Sequence, residues 1–474
     1  MLTSGVLGAA QHAAARVPRA LAFRLDALPL LYADGELTVG LPDPTAKEAV
    51  DELRMATRLL IRPVSISRAE IRERLRSTYG EAEAPLAGGD SSTAGAADNV
   101  FARAVAAHAS DVHIEPAPHG GRIRFRVDGL LREIEHIGAE AYAPLVSRIK
   151  LLAGIDVAER RLPQDGRYTI SVEQREIDAR VSSVAACDGE KLVVRLLDRR
   201  AQTPQLDRLG MPQGIRERYQ RIAQAPWGFV VVAGPTGSGK TTTLYASLSE
   251  LDTAHLNVCA VEDPIEMRLP GVTQVQVNVK AGLTFASSLR AFMRQDPNVV
   301  MIGEMRDGET AAVAVSAALA GQLVFTTLHA NDAARSVERL VNLGVPRDAL
   351  AAGLTGIVAQ RLVRTLCVAC RRIAPIPARD RSAFPLEAES TFEPGGCRIC
   401  ANTGFLGRTA VYELLEIDDE LREAIGAGAS SAAIARMGRK RSYVPMFADG
   451  MEKVTAGRTS FDELRRVVSS SVLP

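Results

Sequence analysis

Residues 234–241 read Gly234, Pro235, Thr236, Gly237, Ser238, Gly239, Lys240 and Thr241, a full match to the spacing G-x-x-x-x-G-K-[ST]. Glycines at these positions let backbone N–H groups turn inward around phosphate oxygens, and a helix opening behind them adds its N-terminal dipole. In such a loop Lys240 reaches the β- and γ-phosphates of a bound ATP and the Thr241 hydroxyl ligates Mg²⁺, with Thr242 beside it. A β-branched run at 230–232 precedes the loop and a helical stretch at 242–248 follows. That strand, loop and helix order is the context the motif needs, and a plain glycine-rich turn does not.

Acids close other apolar runs in the same stretch. The run 299–302 leads through Gly303 to Glu304, and a carboxylate there can orient and polarise an attacking water. The alternative is a surface glutamate after a strand. Glu262, Asp263 and Glu266 close the run 258–261, where they can support Mg²⁺ or the water from one layer further out. His329 follows the run 323–327 and is placed to sense the γ-phosphate or hold water, although a lone histidine is also compatible with a purely structural role.

The remaining chemistry is in cysteines. Cys367 and Cys370, then Cys397 and Cys400, form two C-x-x-C pairs separated by 26 residues. Four thiolates so spaced can close a tetrahedral Zn²⁺ shell with no open position, which makes a structural metal site. Two redox-active pairs are the competing reading, but neither lies in a strand–helix context of thioredoxin type. Cys187 and Cys259 sit in apolar segments and are expected in cores. Arg361, Arg364, Arg371, Arg372, Arg379 and Arg381 surround the module, either as a solvated face or as a docking surface for an acidic partner. His113 and Glu115 alternate with Val112 and Ile114 and are expected on the polar face of a strand, not as metal ligands.

The elements that hold these residues can be read from composition and periodicity. The 474 residues fit about three or four domains of roughly 100–200 residues. Hydrophobic residues at 46% and charged residues at 24% are those of a folded globular chain. Lys+Arg number 57 against 56 Asp+Glu, so no global field draws the protein to nucleic acid or anionic lipid. No apolar run reaches the ~18 residues of a membrane span, and the N-terminus lacks the basic region of a secretory signal, so a cytoplasmic chain is expected. Alternation at 28–31 and 37–41 with helical periodicity at 46–61 and 68–79 makes 1–80 a small α/β module. The Ala-, Gly- and Ser-rich segment 81–97 reads as a flexible linker. Strand alternation and an Asp128-Gly129 turn make 98–203 an α+β domain. In 204–366, four short apolar runs separated by helical stretches give a parallel sheet with its site at the carboxyl strand ends. The cysteine segment 367–400 and a helical region, 401–474, complete the chain.

Taken together, these blocks resemble the type II secretion and type IV pilus assembly traffic ATPases. The resemblance rests on AGPTGSGKTTTLYA around the phosphate loop, VEDPIE at 261–266, TFASSLRAFMRQDPNVVMIGEMRD at 284–307 and TTLHAND at 326–332. It also rests on SDVHIEP at 110–116, RFRVDG at 124–129, RLPQDGR at 161–167, QRLVRTLC at 360–367 and GRTAVYELL at 407–415. It implies a RecA-like P-loop ATPase domain preceded by a PAS-like domain and a small N-terminal docking module, with a zinc subdomain and C-terminal helices. It further implies a homo-hexamer at the inner membrane that meets the cytoplasmic portions of secretion platform proteins. Arginines of the preceding domain reach the phosphates in that family, and the matching positions are Arg167 and Arg180. A guanidinium suits this role because it is always charged and presents a fork of donors.

Three departures from the expected patterns matter, one from generic P-loop proteins and two from the family. Gly303 replaces the Mg²⁺-binding acid of generic P-loop strands, a form that this family shares. Asn298 stands where relatives carry Asp, and the N-terminal module is short. The resemblance implies ATP-driven pseudopilus assembly and protein export, with pilus extension as the near alternative. A RecA-like DNA translocase is the alternative of another class, disfavoured by the near-zero net charge and 4% aromatic residues; no nucleic-acid partner is expected. ATP used only as a structural switch is a third reading, which Glu304 disfavours.

Overall fold

The computed structural model describes residues 13–14, 16–17, 21–22, 25–33, 35–57, 59–79, 93–172, 175–198, 203–384, 388–440 and 443–468. They form two units, Met1–Gly95 and Ala96–Pro474. In the first, β1 (Leu28–Ala33) and β2 (Glu36–Leu41) make an antiparallel hairpin, and β3 (Leu60–Ser65) joins parallel to β2 after the crossover helix α1 (Lys47–Thr57). Helix α2 (Arg68–Tyr79) follows. Leu37, Val39 and Leu41 alternate inward to meet Leu53, Ile71 and Leu75 in a small core. The helix expected over 46–61 ends at Thr57, because Ile61 pairs with Leu37 in the sheet and cross-strand packing overrides its helical spacing.

The division falls in the first turn of α3 (Thr93–Ala106), whose remainder opens the second unit. Residues 81–92 of the expected linker lie outside the described residues, and 93–97 belong to this helix instead. Ala97, Val100, Phe101 and Ala104 recur at i, i+3, i+4 and i+7 and are all buried. Six strands follow: β4 (Asp111–Ala117), β5 (Gly120–Val127), β6 (Leu130–Gly138), β7 (Gln164–Val172), β8 (Arg175–Ala186) and β9 (Gly189–Asp198). They form one antiparallel sheet in the order β6-β5-β4-β9-β8-β7, with α4 (Ala139–Leu152) between β6 and β7. Val112, Ile114, Ile123, Phe125, Leu192 and Val194 join the helices in its core. Most alternate positions are charged, among them Asp111, Glu115, Arg122, Arg124, Arg126, Arg180 and Arg195, so strand periodicity gives this sheet one apolar and one ionic face.

Beyond α5 (Gln213–Ala223) comes a seven-stranded sheet in the order β12-β11-β13-β14-β10-β15-β18. Its strands are β10 (Gly228–Ala233), β11 (Val258–Glu262), β12 (Val272–Gln276), β13 (Val299–Ile302), β14 (Leu323–Leu328), β15 (Leu354–Leu366) and β18 (Phe405–Glu416). The first six run parallel and β18 pairs antiparallel with β15. Helices α6 (Lys240–Ser249), α7 (Phe285–Phe292), α8 (Gly308–Leu319), α9 (Ala333–Asn342) and α10 (Arg347–Gly353) lie between its strands. Strand β10 is buried along its whole length, as its continuous apolar run demands.

A boundary at residue 366 cuts the β15–β18 hairpin, so the region 401–474, expected as helical, also supplies a sheet strand. Between those two strands sit the cysteines and a small antiparallel pair, β16 (Arg372–Pro375) and β17 (Ser390–Glu393). Helices α11 (Asp419–Gly426), α12 (Ser431–Arg439), α13 (Met446–Thr455) and α14 (Phe461–Val467) are the last elements among the described residues. Among the described residues no helix is long and apolar enough to cross a membrane.

Candidate nucleotide site and metal centre

The phosphate loop leaves β10 at Ala233 and enters α6 at Lys240. Gly234 and Gly239 take φ of 155° and 86°. A Cβ on Gly234 would come within 2.4 Å of Ser238 Oγ and 2.6 Å of the Gln360 carbonyl oxygen, so no larger residue fits. Lys240 Nζ donates to the Gly234 and Pro235 carbonyl oxygens, each at 2.9 Å. Burial holds its pKa down at about 8.

Residues Thr236, Gly237, Ser238, Gly239, Lys240, Thr241 and Thr242 line a cleft of about 910 Å³, and Glu304 and His329 line it too. Glu304 follows β13, and β14 fixes that turn: Thr327 Oγ1 donates to the Gly303 carbonyl at 2.7 Å, and the Met305 N–H donates to the Thr327 carbonyl at 3.0 Å. Arg306 donates to the Glu304 carboxylate, and His329 Nε2 stands 3.9 Å from it. Burial, then the Lys240 charge, hold the His329 pKa below its ordinary value. His329 is therefore a neutral ring at pH 7.

Glu262 and Asp263 border the same cleft, but Glu262 is turned inward. It is 2% exposed and accepts from the Tyr245 hydroxyl and from Gln274 Nε2. Burial raises its pKa. Tyr245 is on α6, so Glu262 ties that helix to β11 and β12 rather than facing a metal. Asp263 lies 3.5 Å from Arg306.

Arg167 and Arg180 do not line the phosphate-loop cleft. They line a neighbouring one of about 1450 Å³ that shares Asp263, Pro264, Glu266 and Met267 with it. Arg180 Nη2 donates to the Ile265 carbonyl at 3.3 Å, and its guanidinium is 3.5 Å from Glu266. The reason is topological: β7 and β8, which carry the two arginines, are at the far edge of their sheet.

The four cysteines converge. Their Sγ atoms all lie within 4.8 Å of one another, with Cys367–Cys397 at 3.8 Å and Cys370–Cys400 at 3.7 Å. A tetrahedral shell with Zn–S of about 2.3 Å requires sulfur edges of about 3.8 Å, so the set fits Zn²⁺, and the distances are far too long for disulfides. Backbone N–H groups of Cys397 and Gly404 point at Cys400 Sγ at 3.3 and 3.2 Å. The arginines nearby are engaged with the chain itself. Arg361 donates to the Asn331 carbonyl, Arg364 pairs with Glu463, Arg371 donates to the Gly457 carbonyl, Arg372 pairs with Glu393 and Arg379 with Asp380.

A model of the family described as type II/IV secretion system protein matches residues 87–466. The chain belongs to that family. A second model, the MshEN domain, matches residues 8–85 of this secretion-family chain. The type II secretion system protein E of Dickeya dadantii is 47% identical over 370 residues, 78% of this chain and 74% of that protein. The type IV pilus assembly ATPase PilB of Thermus thermophilus is 36% identical over 476 residues, covering 94% of this chain and 54% of its own length. The fold resembles that of the ATPase DotB of Yersinia pseudotuberculosis, with a TM-score of 0.60 at 20% identity over 81% of this chain and 96% of that one.

Two residues of this secretion-family chain escaped the sequence reading. Gln360 on β15 is 1% exposed, donates from Nε2 to the Ser238 carbonyl at 2.7 Å and accepts from Thr243 Oγ1 at 2.8 Å. It braces the loop from beneath. Arg195 on β9 lines the phosphate-loop cleft. Elsewhere, Cys187 is exposed in the turn between β8 and β9 and not in a core, whereas Cys259 is buried. His113 and Glu115 are on the ionic face yet are 8% and 6% exposed, because Arg122, Arg124 and Lys191 close over Glu115. Asn298 Oδ1 accepts from the Asn257 N–H at 2.8 Å, a strand-register contact made with a neutral side chain.

Proposed function

We propose that this chain is an ATPase that drives pseudopilus assembly and protein export in a type II secretion system. It works as a homo-hexamer on the cytoplasmic side of the inner membrane, against the cytoplasmic portions of platform proteins. The observation that carries the reading is that Lys240, Thr241, Glu304 and His329 line one cleft with the phosphate loop. Turned-in backbone N–H groups and Lys240 take up the phosphate charge. Thr241 would hold Mg²⁺, which neutralises charge on the β- and γ-oxygens. Glu304 orients the attacking water, and neutral His329, on the same cleft, positions it or reports the terminal phosphate. Zn²⁺ on Cys367, Cys370, Cys397 and Cys400 is structural. It shapes the segment between β15 and β18 and leaves no coordination position for a reactant.

Similarity to the Thermus pilus assembly ATPase over nearly the whole chain supports pilus extension as the second reading. Restoration of either protein export or piliation in cells lacking the corresponding ATPase separates the two. The motor itself is tested by Mg²⁺-dependent ATP hydrolysis per chain against protein concentration, alongside Glu304→Gln. The expected result is a specific rate that rises with concentration and falls about 10²-fold or more in the variant. A flat rate excludes a site completed by assembly, and an unaffected variant removes Glu304 from the chemistry.

A further inference from the structure

His329 reaches the phosphate-loop cleft on a short segment, His329 to Asp332, strung between β14 and α9. The ring is half exposed, and Glu304 Oε2 at 3.9 Å is beyond hydrogen-bond distance. Its place is therefore set by the backbone that carries it. At the β14 end the Leu328 carbonyl accepts from the Gly234 N–H at 3.1 Å, which ties the segment to the first glycine of the phosphate loop. The other end is held from β15 and β18.

Arg361 on β15 donates from Nη2 to the Asn331 carbonyl at 2.8 Å and from Nη1 to the Gln360 carbonyl at 3.3 Å, so one guanidinium spans the segment and the strand. Glu413 on β18 accepts from the Ala333 N–H on Oε1 and from the Met446 N–H on Oε2. Ala333 and Met446 are the first residues of α9 and α13, so one buried carboxylate holds two helix N-termini. Helix α9 already has its own N-cap, because the Asp332 side chain accepts from the Arg335 N–H at 2.7 Å. What Glu413 adds is location: it fixes where that helix, and the segment leading into it, stand on the sheet. The Glu413 and Asp332 charges also oppose the lowering of the Arg361 pKa by burial, so the three groups lie together. Beside Glu413, the Tyr412 N–H donates to Asp449 of α13 at 2.6 Å, and Asp449 pairs with Lys453. Two successive residues of β18 thus fasten α13 through buried acids.

We propose that Glu413 and Arg361 are positioning residues for His329, holding the far end of its segment so that the ring stands beside Glu304, and that Glu413 thereby links α13 to the cleft. The inference rests on the reading of His329 as the group that positions the attacking water or reports the terminal phosphate.

The test is Mg²⁺-dependent ATP hydrolysis by the full chain with kcat and KM resolved, beside titration with a fluorescent ATP analogue and thermal melting of each variant. Glu413→Leu removes both acceptors at similar volume. It should lower kcat about tenfold, since small misplacements of a reacting constellation are costly, and leave the dissociation constant of the analogue within twofold, because Lys240 and its loop are untouched. Glu413→Gln, which keeps one acceptor, should fall between that variant and wild type. The double variant Glu413→Leu/His329→Ala should turn over within twofold of His329→Ala alone. A merely structural role would multiply the two losses, and that result overturns the proposal. Should Glu413→Leu melt below the assay temperature, Arg361→Lys carries the same test, since it keeps the charge and loses the fork. If wild type turns over ATP, His329→Ala is slow and the positioning variants match wild type, this inference alone fails. If His329→Ala matches wild type, the reading of His329 fails and takes the inference with it. Absence of turnover in wild type defeats the ATPase reading itself.

Discussion

Lys240 sets a pH limit on the site. Its pKa is lowered from the ordinary lysine value to about 8, chiefly by burial, with the nearby Glu304 carboxylate opposing the shift. Below about pH 8 the ammonium is present in the free protein and is ready for phosphate. Above it the free protein has lost that proton, and nucleotide binding must take one up. The dissociation constant for ATP is therefore flat below about pH 8 and rises toward tenfold per pH unit above it. Titrations with a fluorescent nucleotide between pH 6.5 and 9.5 check this, and Lys240→Arg, which stays charged throughout, should remove the bend. His329 does not interfere. Its pKa is held below its ordinary value, so its charge changes on the acid side of this window.

At the scale of elements, the phosphate loop could be read from sequence because its residues are contiguous and each glycine has a local reason. What braces it could not. Gln360 reaches Ser238 across 122 positions of chain, and glutamine in a strand has no spacing that marks it. Strand β18 was equally hidden, because its second half, 410–415, is buried on both faces and carries an acid inside. Glu413 accepts from the Ala333 and Met446 N–H groups at 2.6 and 3.2 Å, so it caps the helix after the histidine segment and α13 together. Family resemblance supplied Arg167 and Arg180, whereas Arg195 needs the sheet register to be noticed. Gln360→Ala should leave the Ser238 carbonyl and the Thr243 hydroxyl without their buried partner, at about 1–3 kcal/mol. Urea unfolding should show that loss, with weaker ATP binding beyond what the stability change explains. A variant that is destabilised but binds ATP normally would make Gln360 a core residue only. The metal segment follows from β15 in the same way, since Cys367 comes directly after that strand. One zinc per chain is expected by metal analysis. A strong chelator should expose 367–404 to protease while the seven-stranded sheet retains its far-UV signal; absence of zinc from protein purified without chelator counts against the site.

For the whole molecule, the described residues divide within the first turn of α3, and the division has energetic content. The first unit has its own core, in which Leu28, Leu37, Leu53, Ile71 and Leu75 are 0–1% exposed. The core of the six-stranded domain depends on α3 instead: Phe101 is fully buried and meets the Tyr168 ring edge-on at 5.9 Å between centroids. The point of truncation therefore decides the outcome. A chain beginning at residue 90 keeps α3 entire, and should unfold with the same midpoint as the second unit of the intact protein and bind ATP with the same affinity. A chain beginning at residue 103 loses Ala97, Val100 and Phe101, and removal of the aromatic ring alone costs about 3–5 kcal/mol. Its six-stranded sheet should be unfolded or open at 37 °C. That sheet supplies Arg195, Leu196 and Leu197 to the lining of the phosphate-loop cleft, so the second truncation should also lose ATP affinity, although every residue of the phosphate loop remains. Equal ATP affinity in the two truncations would mean that the seven-stranded domain binds nucleotide alone. Weaker binding confined to the shorter chain would place the complete site across both domains.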